Sequence, residues 1–223
     1  MHTNLHYRIL YATDASVYRK LPLGVVYPKC LEDIQKVVQF ASLKKISIIP
    51  RTAGTSLAGQ CVGEGLIVDV SRHLTQIINY DEETGIVEVE PGVIRDELNN
   101  FLRPFGRWFS PNTSTSNRCM IGGMVGNNSC GTTSIKYGTT RDKFVGAELV
   151  LANGTVVEAG YSARPKHNEL WTEIHERTKE LLNLSDLREA ILENGPKPDI
   201  HRRNTGYNLE SLVLDYQEQN ELN

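Results

Sequence analysis

Arg51-Thr-Ala-Gly-Thr-Ser-Leu-Ala-Gly59 and, further along, Ile121-Gly-Gly-Met-Val-Gly-Asn-Asn-Ser-Cys-Gly131 are the two stretches on which the reading of this chain turns. Each follows an apolar or proline-marked run, and each is crowded with glycine and hydroxyl-bearing residues. Glycine tolerates positive φ and has no Cβ, so successive backbone N–H groups can turn toward one anion. In the first stretch Gly54 and Gly59 free the backbone, while Thr55 and Ser56 offer hydroxyls. It lacks the Gly-Lys-[Ser/Thr] ending of a P-loop and the spacing of G-x-G-x-x-G. In the second, Gly122-Gly123 lets backbone lie flat against a ring, and an asparagine such as Asn127 both donates to and accepts from a ring edge. Two such stretches point to one extended ligand carrying a pyrophosphate, gripped at two places. Tyr137-Gly138 follows at a distance suited to closing the same pocket.

The flanking pattern alternates strand and helix. Gly24-Val-Val-Tyr27 reads as a strand closed by Pro28, and Leu31, Ile34, Val37, Val38 and Ala41 fall at helical spacing over 31–44. Ile46-Ser-Ile-Ile49 is the next strand and feeds the first glycine stretch; Leu66-Ile-Val-Asp-Val70 reads as another, buried strand. Ile77–Tyr80 and Ile86–Glu90 form a hairpin around Asp81–Gly85, with Gly85 at a positive-φ position. Ile94, Leu98, Phe101 and Leu102 share a helical face that Pro104 ends. Val145–Leu151 and Thr155–Glu158 make a second hairpin, for which Asn153-Gly154 predicts a type I′ turn. Residues 167–194 read as helical.

The totals narrow the classes. With 223 residues the chain is one large domain or two small ones. A net charge of -3 argues against a general nucleic-acid binder. No apolar run is long enough for a transmembrane helix, and no secretory signal pattern opens the chain, so a cytoplasmic protein is expected. Cys30, Cys61, Cys119 and Cys130 contain no C-x-x-C pair, which gives no metal or cluster site and fits reduced thiols.

These residues match a family. Pro50–Gly59, Ser110-Pro111-Asn112, Ile121–Asn127, Lys136-Tyr137-Gly138 and Thr205-Gly-Tyr-Asn-Leu209 stand in the order seen in FAD-linked oxidases. The chain resembles the FAD-binding domain of the vanillyl-alcohol oxidase / p-cresol methylhydroxylase type. Within it, the nearest resemblance is to bacterial D-lactate, glycolate and D-2-hydroxyglutarate dehydrogenases, some of them fused to iron–sulfur modules. The resemblance implies an α+β fold of two subdomains with the cofactor groove between them. An N-terminal extension would cover 1–20, a first FAD-binding subdomain 21–105 and a second 106–223, the last incomplete at its C-terminal end.

The resemblance also implies the site. Arg51, Thr52, Ala53, Gly54, Thr55 and Ser56 would wrap the FAD pyrophosphate with main-chain amides, with Leu57, Gly59 and Gln60 near the flavin. Pro111, Thr113, Gly122, Gly123, Asn127 and Gly131 would line the groove, and Tyr137 and Gly138 would close it. Relatives with a covalent flavin carry histidine between glycine and serine of the first stretch; Thr55 stands there and has no nitrogen to form the link, so FAD is expected to be non-covalent.

The implied activity is oxidation of a small D-2-hydroxy acid to the 2-oxo acid, with a substrate-cap domain absent from this chain and an iron–sulfur module or membrane-associated acceptor taking electrons in the whole enzyme. Two other readings remain: a non-enzymatic nucleotide-binding module, and a flavin reductase of the cell-wall precursor type. The Arg51 stretch and the Ser110-Pro111-Asn112 / Gly122-Gly123 pattern favour the hydroxy-acid branch. His2, His6, His73, His167, His175 and His201 have no metal-ligand spacing, and no catalytic residue is assigned. Arg202-Arg203 reads as a surface basic pair.

Overall fold

A computed structural model describes residues 1–160, 168–196, 200 and 206–219. The chain divides into two compact units: residues 1–143 with 152–155, and residues 144–151 with 156–223.

The first unit is built on a three-stranded parallel sheet of order β1-β3-β2, with β1 Gly24–Val26, β2 Ile48–Arg51 and β3 Leu66–Asp69. In this sheet β3 lies between the other two, and all its residues are buried. That is why Leu66-Ile-Val-Asp69 is an apolar run with a single acid at its end, since a strand covered on both faces does not alternate. Helix α2, Leu31–Lys44, joins β1 to β2 over the expected span and closes with Lys45 in the left-handed region at φ 53. At its start the Lys29 amide donates to the Asp33 carboxylate at 3.0 Å.

Strand β2 begins two residues later than its apolar run suggests and takes in Pro50 and Arg51. Register explains the shift. Ile48 pairs with Leu66 and Arg51 with Asp69, while the Ile46 amide still caps α2 on the Ala41 carbonyl. Pro50 is tolerated because β2 is an edge strand, where a missing N–H breaks no second ladder.

A two-stranded antiparallel sheet follows, β4 Ile77–Tyr80 and β5 Val87–Val89, with Gly85 at φ 74 as its turn chemistry required. Helix α3, Arg95–Leu102, ends in a 3-10 turn over Arg103–Phe105 that contains Pro104. Its buried Leu98 and Leu102 pack with Val93, Cys119, Ile121 and Met124 into the main apolar cluster of this unit. The second glycine stretch, expected as a loop, contains helix α4, Ile121–Gly126. Glycine is a poor helix former, but tertiary contacts override it: Ile121 and Met124 are buried, and the Ile121 and Gly122 amides donate to the Val93 and Pro91 carbonyls, both at 2.9 Å.

The expected boundary near Gly106 falls inside this unit. Arg95 of α3 reaches forward, its Nε donating to the Pro111 carbonyl at 2.5 Å, and Ile94 bridges Met120, so residues beyond 106 are tied to those before it. The N-terminal residues also belong to it. Helix α1, Leu5–Leu10, capped by Asn4, leads into Ala12, which is fully buried.

The second unit holds the hairpin β6 Gly146–Val150 and β7 Val156–Gly160, and helices α6 Glu169–Leu182, α7 Ser185–Asn194 and α8 Leu209–Gln219. The hairpin turn is not type I′, because Gly154 at φ 83 has positive φ and Asn153 does not. Asn153 acts through its side chain instead, accepting from the Thr155 amide at 2.9 Å. The single helical run expected over 167–194 breaks at Asn183-Leu184, and residue 167 lies outside the described residues.

Candidate functional site

The first glycine stretch leaves β2 at Arg51 and curls back toward β3, with Gly54 at φ 66 and Gly59 at φ 72. A side chain at either position would be strained, which is the physical reason for glycine there. Among the described residues, the backbone N–H groups of residues 53–57 donate no hydrogen bond within the protein, whereas the Ala58 and Gln60 amides turn onto Ser56 Oγ at 3.3 and 3.4 Å. A run of consecutive unpaired amides at a strand end is a site that water or an anion must satisfy.

The second glycine stretch is seated against the first. A Cβ added to Gly123 would stand 2.5 Å from Thr52 Oγ1, so Gly123 is where the two stretches pack. Beside that contact Gln60 Nε2 donates to Asn127 Oδ1 at 2.7 Å. Ser56 Oγ donates to Gln60 Oε1, and Asn127 Nδ2 donates to Ser129 Oγ at 3.3 Å. The result is a polar relay along one rim, Ser56–Gln60–Asn127–Ser129, with Gln60 exposed.

Several expected residues have other work. Arg51 does not project freely: its Nη1 donates to the Thr13 carbonyl at 2.8 Å and its guanidinium lies 5.0 Å from the centre of the Tyr11 ring. Gly122 packs on Pro91, and a Cβ on Gly131 would fall 1.4 Å from the Asn112 carbonyl oxygen. These two glycines are spent on backbone docking. Pro111 is fully buried, and Thr113 Oγ1 lies 3.0 Å from Cys119 Sγ in the core. Leu57 is 79% exposed. Tyr137 packs edge-on against Trp108 at 5.2 Å, and Gly138, at φ 82, ends the short helix α5, Ser134–Tyr137. Ala53 and Thr55 are half-buried within the first stretch.

Two features were missed by sequence reasoning. Ser110 is buried, yet its Oγ has no hydrogen-bond partner, although its own carbonyl accepts from Thr133 Oγ1 at 2.7 Å. Its place beside Pro111-Asn112 was the available signal. Gly126, at the end of α4, has open space where a Cβ would point. The other candidates do not gather. His73 is exposed, His175 sits on α6 against Trp171, and His167, His201, Arg202, Arg203 and Thr205 lie outside the described residues. Among the described residues no group of histidine, cysteine and acidic side chains could hold a metal, and no helix is long and apolar enough to cross a membrane.

Unpaired amides at a parallel strand end, seated against a glycine-rich helix in an α+β fold, form a site of the kind that accepts an anionic group. The chain belongs to the FAD binding domain family, which matches residues 22–160. It is 34% identical over 221 residues to the D-2-hydroxyglutarate dehydrogenase of Escherichia coli K12, covering 93% of this chain and 21% of that protein. Against the enzyme of the same name from Haemophilus influenzae it is 36% identical, covering 94% of this chain and 21% of that one. The glycolate oxidase subunit GlcD of Bacillus subtilis is 36% identical over 155 residues, 69% of this chain and 33% of that protein. The chain thus spans about a fifth of the length of the dehydrogenases it matches, at 21% in each case.

Among solved structures, an alkyldihydroxyacetonephosphate synthase superposes with a TM-score of 0.63 at 20% identity, over 72% of this chain and 34% of that one. A carbohydrate oxidase from Microdochium nivale superposes with a TM-score of 0.59 at 25% identity, over 71% of this chain and 33% of that one. The cofactor of the family is FAD, and the residues present fit it: residues 53–57 offer free donors of the kind a pyrophosphate accepts, and Ser110 offers an unsatisfied hydroxyl.

Proposed function

We propose that this chain is the FAD-holding portion of a flavoenzyme that oxidises a small D-2-hydroxy acid, of the 2-hydroxyglutarate, lactate or glycolate type, to the 2-oxo acid. The observation that carries the reading is the run of unpaired amides at residues 53–57, in a loop that Gly123 seats on the second glycine stretch. The names of the relatives support the substrate class.

The backbone of residues 53–57 would hold the pyrophosphate by direct donation, a preorganised partial positive charge that needs no lysine. Gln60 and Asn127, already joined, would present their amides along the rim, and Ser110 would add a hydroxyl. Among the remaining expected residues, Thr52, Gly122, Gly123 and Gly131 shape the groove by backbone packing, while Tyr137 and Gly138 border it. Thr55 lacks a nucleophilic nitrogen, so the cofactor is held without a covalent bond. Bound FAD would supply the redox chemistry, as the two-electron acceptor for oxidation of an alcohol to a carbonyl. An iron–sulfur module is the electron acceptor we propose for the whole enzyme.

The test is turnover by the full-length protein, loaded with FAD and given D-2-hydroxyglutarate, D-lactate or glycolate with an artificial electron acceptor. Acceptor reduction with one of these acids is expected. A flavin-loaded protein that leaves all three untouched but is reduced by NADPH would place it with the reductases instead.

A further inference from the structure

The family match begins at residue 22, yet the residues just before it lie directly on the candidate pyrophosphate loop. Residues 12–20 fold back as a narrow strap: Thr13 bridges Arg19, and the Lys20 amide donates to the Ala12 carbonyl at 2.9 Å. Along its length the strap touches the loop at its beginning, middle and end. The Thr13 carbonyl accepts from Arg51 Nη1 at 2.8 Å. The Ala15 amide donates to the Gly54 carbonyl at 3.2 Å. Asp14 Oδ2 accepts from Cys61 Sγ at 3.5 Å, and the Tyr18 ring lies so close to Gly59 that a Cβ there would be 2.7 Å from its Cδ2.

We infer that this strap is part of the cofactor site, with Asp14 and Tyr18 as positioning residues that hold residues 53–57 in the shape that presents their amides. The inference rests on the FAD reading and extends it to a segment outside the matched family region. The physical argument is preorganisation. A loop with two positive-φ glycines and unpaired amides has few internal bonds to fix it, so its order must come from what packs against it. The strap supplies that order from one side while Gly123 supplies it from the other.

Asp14 is suited to the task because its other oxygen, Oδ1, accepts from the Ser16 amide at 2.8 Å, which fixes the carboxylate before the loop meets it. Burial pushes this carboxyl up, but bonds from Ser16 and Cys61 and the charge of Arg51 outweigh it and keep Asp14 ionised below the usual carboxylate range. The carboxylate thus sits between Arg51 and Cys61, the two ends of the loop.

The experiment compares the wild-type protein with Asp14→Ala and Tyr18→Ala by hydrogen exchange without ligand, FAD titration and thermal melting. Tyr18 is 57% exposed, so its variant folds even if loss of Asp14 proves too disruptive. The expected result is faster exchange confined to the bonded amides of strap and loop, those of Ala15, Ala58, Gln60 and Val62, with unchanged exchange in β3 and FAD affinity weakened roughly tenfold. Asp14→Asn, which keeps an acceptor for Ser16, should lose less. Unchanged exchange in the loop, faster exchange everywhere with a falling Tm, or a looser loop with wild-type affinity would each overturn the inference. A wild-type protein that binds no FAD refutes the flavin reading alone, and the exchange comparison still decides whether the strap orders the loop.

Discussion

Replacing Gly131 by alanine separates glycine used for packing from glycine used to leave room. An alanine Cβ at this position would stand 1.4 Å from the Asn112 carbonyl oxygen and 2.4 Å from its carbon, against 3.4 Å or more for an ordinary contact. Both partners are backbone, so no rotamer change relieves the clash, and the two segments must part by about 2 Å. That movement pulls on the bond from the Gly131 amide to Ser134 Oγ at 3.1 Å and on the bond from Thr133 Oγ1 to the Ser110 carbonyl at 2.7 Å. Overpacking costs roughly 1–3 kcal/mol, and with both neighbours backbone a loss at the top of that range, about 3 kcal/mol, is expected. For a chain of this size that corresponds to a fall of about 6–12 °C in Tm, read by circular dichroism.

Gly126→Ala is the matched control, because its Cβ meets nothing within 4 Å. It should melt at or above the wild-type temperature, gaining up to about 1 kcal/mol from reduced backbone freedom in the unfolded chain, while weakening FAD if that space receives the cofactor. A Gly131→Ala protein melting within about 2 °C of wild type would refute the packing argument.

Three further outcomes are expected. Gln60→Ala breaks the bond to Asn127 on an exposed rim, so FAD affinity should fall several-fold, as for one hydrogen bond of about 1 kcal/mol, with little change in Tm; equal affinities would remove Gln60 from the site. Burial, and then its 2.5 Å bond to Asp69, push the Tyr11 phenol well above its usual 10.0. With the folded value raised, this bond stabilises the fold fully below about pH 10 and is lost as pH rises past it, because the unfolded chain gives up its phenol proton first. Denaturant melts across that range should therefore show a steeper alkaline decline for wild type than for Tyr11→Phe. Finally, acid precipitation of FAD-loaded protein should leave all flavin in the supernatant, since Thr55 offers no attachment; yellow pellets would contradict it.

What could be read from the sequence divides by the range of the forces involved. Helix α2 was legible residue by residue because Leu31, Ile34, Val37, Val38 and Ala41 mark one face. The β4–β5 hairpin was legible because Asp81 and Gly85 specify the turn locally. Strand β2 slipped because its register is set by β3, distant in sequence. Helix α4 was hidden by its glycines, and only its docking on Pro91 and Val93 makes it helical. At the site, the first stretch was legible as an anion loop from its glycines. The reassignment of Arg51 to the Thr13 carbonyl was not, and neither was the strap, whose contacts are largely backbone and carry no periodic signature. Motif matching placed Gly122 and Gly131 at the ligand, while the geometry gives each a backbone neighbour.

The central claim is tested most directly by titrating the 223-residue protein with FAD and following flavin fluorescence and absorbance. Saturable binding at one FAD per chain, displaced by ADP and accompanied by slower amide exchange at residues 53–57, is the predicted result. An unchanged flavin signal, or binding that leaves exchange of those amides untouched, would contradict it.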